Sequence, residues 1–167
     1  MTAKRSPQYP FTPRSRTHVR PGQYWAVPLS DGRFACGRVL QVTGEELPNS
    51  VCFFGGLHDW VGERPPDSDA IGGRSLLRVG VMHVKAITQT GGMVLGLRPL
   101  EVDELISPLL LSAQGGRGTR LMRGAQHLRI AKPADLGSYP VLGFWGYDFI
   151  RQLAEELLVR RGHNDAA

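Results

Sequence analysis

Two strand-like runs, residues 23–29 and 33–42, flank the dipeptide Asp31-Gly32 in the segment Gly22-Gln-Tyr-Trp-Ala-Val-Pro-Leu-Ser-Asp-Gly-Arg-Phe-Ala-Cys-Gly-Arg-Val-Leu-Gln-Val42. Asp-Gly accepts the positive φ angles of a two-residue type I′ turn, so the segment reads as a β-hairpin in which Ser30 faces Arg33. Counting outward from that turn sets Trp25, Val27 and Leu29 opposite Arg38, Cys36 and Phe34 on one face, extended by Leu40 and Val42. This is the expected core face. Ala26 meets Gly37 on the other, where the missing side chain leaves a shallow spot for another backbone. Pro28 has no N–H for a ladder and places the first strand at an edge or beside a bulge. On this register Arg38 lies among apolar side chains opposite Trp25, and an unpaired buried charge costs several kcal/mol. The arginine therefore needs Asp59, Glu101 or Asp103, the ring of Trp25, or the sheet margin.

The chain continues as β segments separated by turn chemistry. Residues 50–54 form a short apolar strand and 76–88 a longer one, in which Val79, Val81 and His83 share a face and Gly80 marks a bulge. Thr90-Gly91-Gly92 turns the chain into a strand over 93–98, ended by Pro99. Residues 56–74 contain Gly62, Pro65, Pro66, Gly72 and Gly73 without either periodicity and read as a long surface loop. The apolar segment 105–113 is too short to assign to strand or helix. At the end the period changes to about 3.6 residues, with Ile150, Leu153 and Leu157 on one stripe, widened by Ala154 and Leu158. Asp148 in the first turn, Arg160 and Arg161 in the last and Gly162 beyond match a helix. The aromatic run Tyr139, Phe144, Trp145, Tyr147 and Phe149 beside it is expected to plug the core.

With 167 residues and 41% apolar side chains the chain can bury one core, so a single domain over 20–167 is expected. The net charge of +5 comes entirely from Lys4, Arg5, Arg14, Arg16 and Arg20, since later residues carry equal numbers of each sign. Residues 1–19 thus read as a flexible basic arm, dispensable for folding, and nucleic acid is not the expected partner. Residues 114–133 form the one further basic run, read as a solvated flexible connection. No apolar run reaches the ~18 residues of a membrane span and no secretory leader is readable, which makes the cytoplasm the expected compartment. Two cysteines, Cys36 and Cys52, are too few for a disulfide framework or a cysteine-only zinc site and read as small buried hydrophobes.

Motifs for catalysis are missing. The sequence contains no His-Glu-x-x-His, no Gly-x-x-x-x-Gly-Lys-Ser/Thr and no Gly-x-Ser-x-Gly. Gly115-Gly-Arg-Gly-Thr-Arg120 lacks the lysine of a phosphate loop. No catalytic residue, cofactor or metal ligand is therefore assigned. His58, Asp59 and Trp60, with Arg64, place an imidazole, a carboxylate and an aromatic in the long loop and are the expected partner-binding residues. Arg38 and Trp25 are expected to be structural or anion-pairing.

The hairpin residues Pro21-Gly22-Gln23-Tyr24-Trp25-Ala26-Val27-Pro28-Leu29, Asp31-Gly32-Arg33-Phe34 and Gly37-Arg38-Val39-Leu40 resemble the opening of the immunity protein 26 family of bacterial polymorphic toxin systems. Gly92-Met-Val-Leu-Gly96 resembles a second strand motif of that family; Gln23 and Met93 depart from its usual acid and tryptophan. The resemblance implies a non-enzymatic α+β protein that binds and neutralises a cognate protein toxin, and it transfers no catalytic residues. The same hairpin is also similar to the start of small SH3-like barrels of endoribonuclease toxins, although Val39 stands where those have proline; an RNA-binding module is the related alternative. The expected fold is β-rich α+β, a curved antiparallel sheet or partly open small barrel covered by the C-terminal helix. Oligomeric state is not readable.

Overall fold

The computed structural model describes residues 6–113 and 118–160. Among the described residues nine strands form two sheets: β1 (Gln23–Pro28), β2 (Phe34–Gln41), β3 (Cys52–Gly62), β4 (Leu76–His83), β5 (Val94–Leu97) and β9 (Phe144–Trp145) in the order β5-β1-β2-β3-β4-β9, and β6 (Leu109–Ser112), β7 (Arg120–Arg123) and β8 (Gln126–Ile130) in a smaller sheet. All neighbours are antiparallel except β4 and β9. The fold is β-rich α+β, and neither sheet closes into a barrel. A short helix α1 (Lys85–Thr88) follows β4, and α2 (Phe149–Ala154) widens into a π turn over Glu155–Val159. Ile150 and Ala154 bury the α2 stripe against Trp25, Val27, Phe53 and Leu57, so this helix covers one face of the large sheet. Glu155 accepts hydrogen bonds from the Ser30 backbone at 2.5 Å and its hydroxyl at 2.8 Å, tying the helix to the hairpin tip. Asp148 pairs with Arg151 instead of capping backbone N–H groups. Arg161 and Gly162 lie outside the described residues.

The hairpin register differs from the two-residue turn by one position. Leu29 donates to the Arg33 carbonyl at 2.9 Å and Gly32 to the Leu29 carbonyl at 3.1 Å, closing a three-residue loop. Gly32 takes φ +84° and Asp31 accepts from the Arg33 N–H, the geometry of a type I turn with a glycine bulge. Trp25 therefore pairs with Gly37 and Arg38 with Tyr24. Trp25, Val27 and Leu29 do form core, but with Ala35 and Val39; Cys36, Arg38 and Leu40 face the other way. The shallow spot at Gly37 is filled from within the hairpin, because any Cβ there would fall inside the Trp25 ring.

Four further expectations are corrected. Residues 56–62 are strand, not loop: β3 runs through Gly55 and Gly56, where a Cβ would stand only 2.7 Å from the Arg38 carbonyl oxygen and 2.9 Å from that of Arg78 on the flanking strands. Gly80 pairs with Gly55 in register beneath the Trp145 indole, and the bulge lies at Leu57/His58. The aromatic run is no core plug, since Phe144, Tyr147 and Phe149 are 44%, 41% and 39% exposed at the sheet margin. The basic run forms β7 and β8 rather than a flexible connection, with Arg129 paired to Asp135 at 2.6 Å and His127 bonded to Glu46 at 2.8 Å; Arg117 lies outside the described residues.

The leader also differs from a free arm. Phe11 exchanges backbone hydrogen bonds with Val94 at 3.1 and 2.8 Å, covering the outer edge of β5, and Tyr9 packs beside it. Arg16 donates to the carbonyls of Asn49 and Cys52, and Val19 is buried. Few apolar residues suffice because an unpaired edge offers backbone partners to whatever lies along it. Deleting residues 1–18 should lower the thermal midpoint by on the order of 5 °C, the loss of one or two kcal/mol from a domain this size. An unchanged midpoint in a thermal melt would show that these contacts contribute nothing.

Candidate functional site

The end of β3 and the connection after it carry the expected partner-binding residues, and the structure divides them. Asp59 and Arg64 are exposed and Trp60 is half-buried, its ring lying across Gly62. His58 has no exposed surface. Alternation along the strand explains the split, because His58 and Asp59 point to opposite sides, and His58 belongs to a polar cluster beneath the connection 63–75.

Arg38 is the centre of that cluster. Its register places it on the second face of the large sheet, where its side chain has no exposed surface. Nη1 donates to His58 Nε2 at 3.1 Å, and Nη2 donates to the Arg98 carbonyl at 2.5 Å and to Asp103 Oδ2 at 3.4 Å. Arg38 Nε has no partner among the described residues. Arg98 Nε bonds both carboxylate oxygens of Asp103, at 2.9 and 2.8 Å, and the Gly73 N–H donates to Oδ1 at 2.9 Å. Asp103 thus ties the sheet to the connection 63–75 and to the segment 98–104. Arg98 was the missed member: an arginine in a turn carries no sequence signal for a carboxylate five residues away.

The electrostatics follow from these contacts. Hydrogen bonding to Arg98 holds the Asp103 carboxyl down to about 2 despite its burial. Burial, reinforced by the adjacent Arg38 charge, pushes His58 down to about 4. The imidazole is therefore neutral at pH 7, accepting at Nε2 from Arg38 and donating from Nδ1 to the Ser75 carbonyl at 3.3 Å. Burial pulls the Arg38 guanidinium below its ordinary range, yet a guanidinium keeps its charge at neutral pH; burial also pushes the Cys36 thiol up, which leaves it un-ionised and unreactive there. Among the described residues no group of three or more His, Cys, Asp and Glu could hold a metal ion. No described helix is long and apolar enough to cross a membrane.

The family model of immunity protein 26 matches residues 20–119, spanning β1 to β6 and every member of the Arg38 cluster. The chain belongs to the immunity protein 26 family. No curated protein and no solved structure matches it. Membership in the immunity protein 26 family implies a toxin as partner and points to a non-enzymatic role. The family match ends before β7, so β7, β8, β9 and α2 lie outside the matched part.

The cluster makes stability sensitive to acid in two steps. His58 is protonated near pH 4 when folded and near 6.5 in the ordinary case, so the unfolded chain takes up the extra proton as pH falls through that interval. Stability is complete above pH 6.5 and declines toward pH 4. Asp103, held near 2 against an ordinary 3.8, adds a second loss below about pH 4. Urea titrations of His58→Gln should show a flatter dependence between pH 6.5 and 4 and keep the loss below it. Equal slopes in variant and parent would refute the buried neutral imidazole.

Proposed function

We propose that the chain binds a cognate toxin protein one-to-one and neutralises it by covering the toxin's active site or a neighbouring surface. Membership in the immunity protein 26 family carries this reading. The burial of His58, Cys36 and Arg38 supports it, because the groups most able to do chemistry are withdrawn from solvent into scaffold. Exposed Asp59 and Arg64, with the half-buried Trp60, are the proposed contacts at the end of β3; His58 contributes only by holding that end in place. Exposed connections can vary while the sheet keeps its packing, which suits recognition of one partner among related ones. The endoribonuclease and RNA-binding alternatives have less support: the large sheet does not close into a barrel, and Arg129 and His127 in the basic segment are engaged by Asp135 and Glu46.

Co-expression with the toxin domain encoded beside the protein's own gene tests the reading. Growth should be restored and a one-to-one complex should co-purify, while the chain alone leaves cellular RNA intact. Asp59→Ala with Arg64→Ala should weaken the complex at least fivefold without moving the thermal midpoint. Growth arrest with RNA decay caused by the chain alone would overturn the reading in favour of a nuclease.

A further inference from the structure

The two sheets are joined by residues 140–145, and this joint leaves a fork. Leu111 N–H donates to the Pro140 carbonyl at 2.9 Å and Leu142 N–H to the Leu111 carbonyl at 2.8 Å, so the first half of the joint belongs to the small sheet. The second half reaches the large sheet, where Phe144 and Trp145 pair with Val81 and Met82. Val81 N–H donates outward to the Gly143 carbonyl at 2.9 Å. By the alternation of a strand, Val79 presents its N–H and carbonyl on the same side, away from β3. No described strand pairs with β4 at that level.

The space beside this bare edge is an apolar groove of about 660 Å3, lined by Leu76, Leu77, Val79, Ile106, Leu110 and Val141 together with Arg78, Pro108 and Pro140. Ile106 and Val141, large apolar side chains that are 73% and 75% exposed, both line this opening. Arg78 is the only charged lining residue, and its Nη1 donates to the Leu77 carbonyl at 2.9 Å. The groove thus offers backbone groups along one wall, apolar contacts along the others and one positive charge that has no ion-pair partner among the described residues. An extended chain with alternating apolar side chains matches the first two, and a carboxylate on it matches the third.

We infer that the open edge of β4 at 78–80 receives an extended, apolar, acid-bearing segment of the toxin, which adds to the large sheet below β9 as a further strand. The inference rests on the toxin-binding reading and deepens it. An incoming backbone N–H replaces Arg78 at the Leu77 carbonyl, and the freed guanidinium pairs with the segment's acid. One wall of the groove belongs to the family-matched part and the other, at 140–141, to the remainder of the chain.

The test uses the full chain and the toxin domain encoded beside its gene. Val79→Pro removes the outward N–H and should weaken the complex at least tenfold, whereas Val79→Ala, which keeps it, should change affinity less than threefold. Ile106→Asp and Val141→Asp, both at exposed positions, should fold normally and each weaken binding at least tenfold. In hydrogen exchange the Val79 amide should slow in the complex. Full affinity in folded Ile106→Asp and Val141→Asp, or a Val79 amide whose exchange the toxin leaves unchanged, overturns the inference while leaving the immunity reading intact. If Val79→Pro does not fold, those two results decide. Failure of the parent chain to bind the toxin overturns both.

Discussion

A guanidinium with no exposed surface sits on the second face of the large sheet, and the segments around it are placed by the need to neutralise it. Arg38 cannot shed its charge at physiological pH, and removing one partner of a buried ion pair costs about 3–5 kcal/mol. Asp103 meets that charge only when the segment 98–104 folds over the sheet, and its other oxygen takes the Gly73 N–H only when the connection 63–75 does the same. The first face is closed by α2 and the apolar core around Trp25, the second by these two segments together with the small sheet, whose Leu110 and Met122 pack with Leu40, Phe54 and Val81. Strand β2 is consequently buried on both faces.

Much of this was legible in the sequence, and the failures have identifiable physical causes. The hairpin, the strand at 94–97 and the helix beginning at Phe149 follow from alternation, turn residues and the 3.6-residue period. The hairpin reading sets Arg38 among apolar side chains in need of Asp59, Glu101 or Asp103, the Trp25 ring or the sheet margin; the structure buries it beside Asp103, but on the face opposite to Trp25. A three-residue loop closed by Gly32 shifts the register by one, and one residue of slip exchanges the two faces of a strand. Residues 56–62 read as part of a loop because glycines that admit neighbouring backbones and glycines of a flexible turn leave the same mark on a sequence. The aromatic run misled for a related reason: density predicts burial only when the segment lies inside a sheet, and β9 lies at its margin.

The candidate site was legible in part. Asp59, Trp60 and Arg64 stand where solvent or a partner can reach them, whereas His58, on the same face of β3 as Trp60 and opposite to Asp59, is buried against Arg38. The groove had no sequence signal at all, because its walls come from residues 76–79, 106–110 and 140–141, which only the joint between the two sheets brings together. In this arrangement Asp103, paired with Arg38 and Arg98, ties the covering segments to the sheet, and the margins are the proposed recognition surface. On that proposal Arg38 holds the covering segments in place and its charge takes no part at the toxin surface.

A double-mutant cycle on Arg38 and Asp103 tests that division most directly. Unfolding free energies and toxin affinities would be measured for Arg38→Met, Asp103→Leu and the pair. Each single change should cost about 3 kcal/mol or more, the double should recover at least about 1 kcal/mol of the summed loss, and folded variants should bind the toxin as the parent does. Additive losses, or a stable Arg38→Met chain that no longer binds, would place Arg38 at the recognition surface and contradict the account.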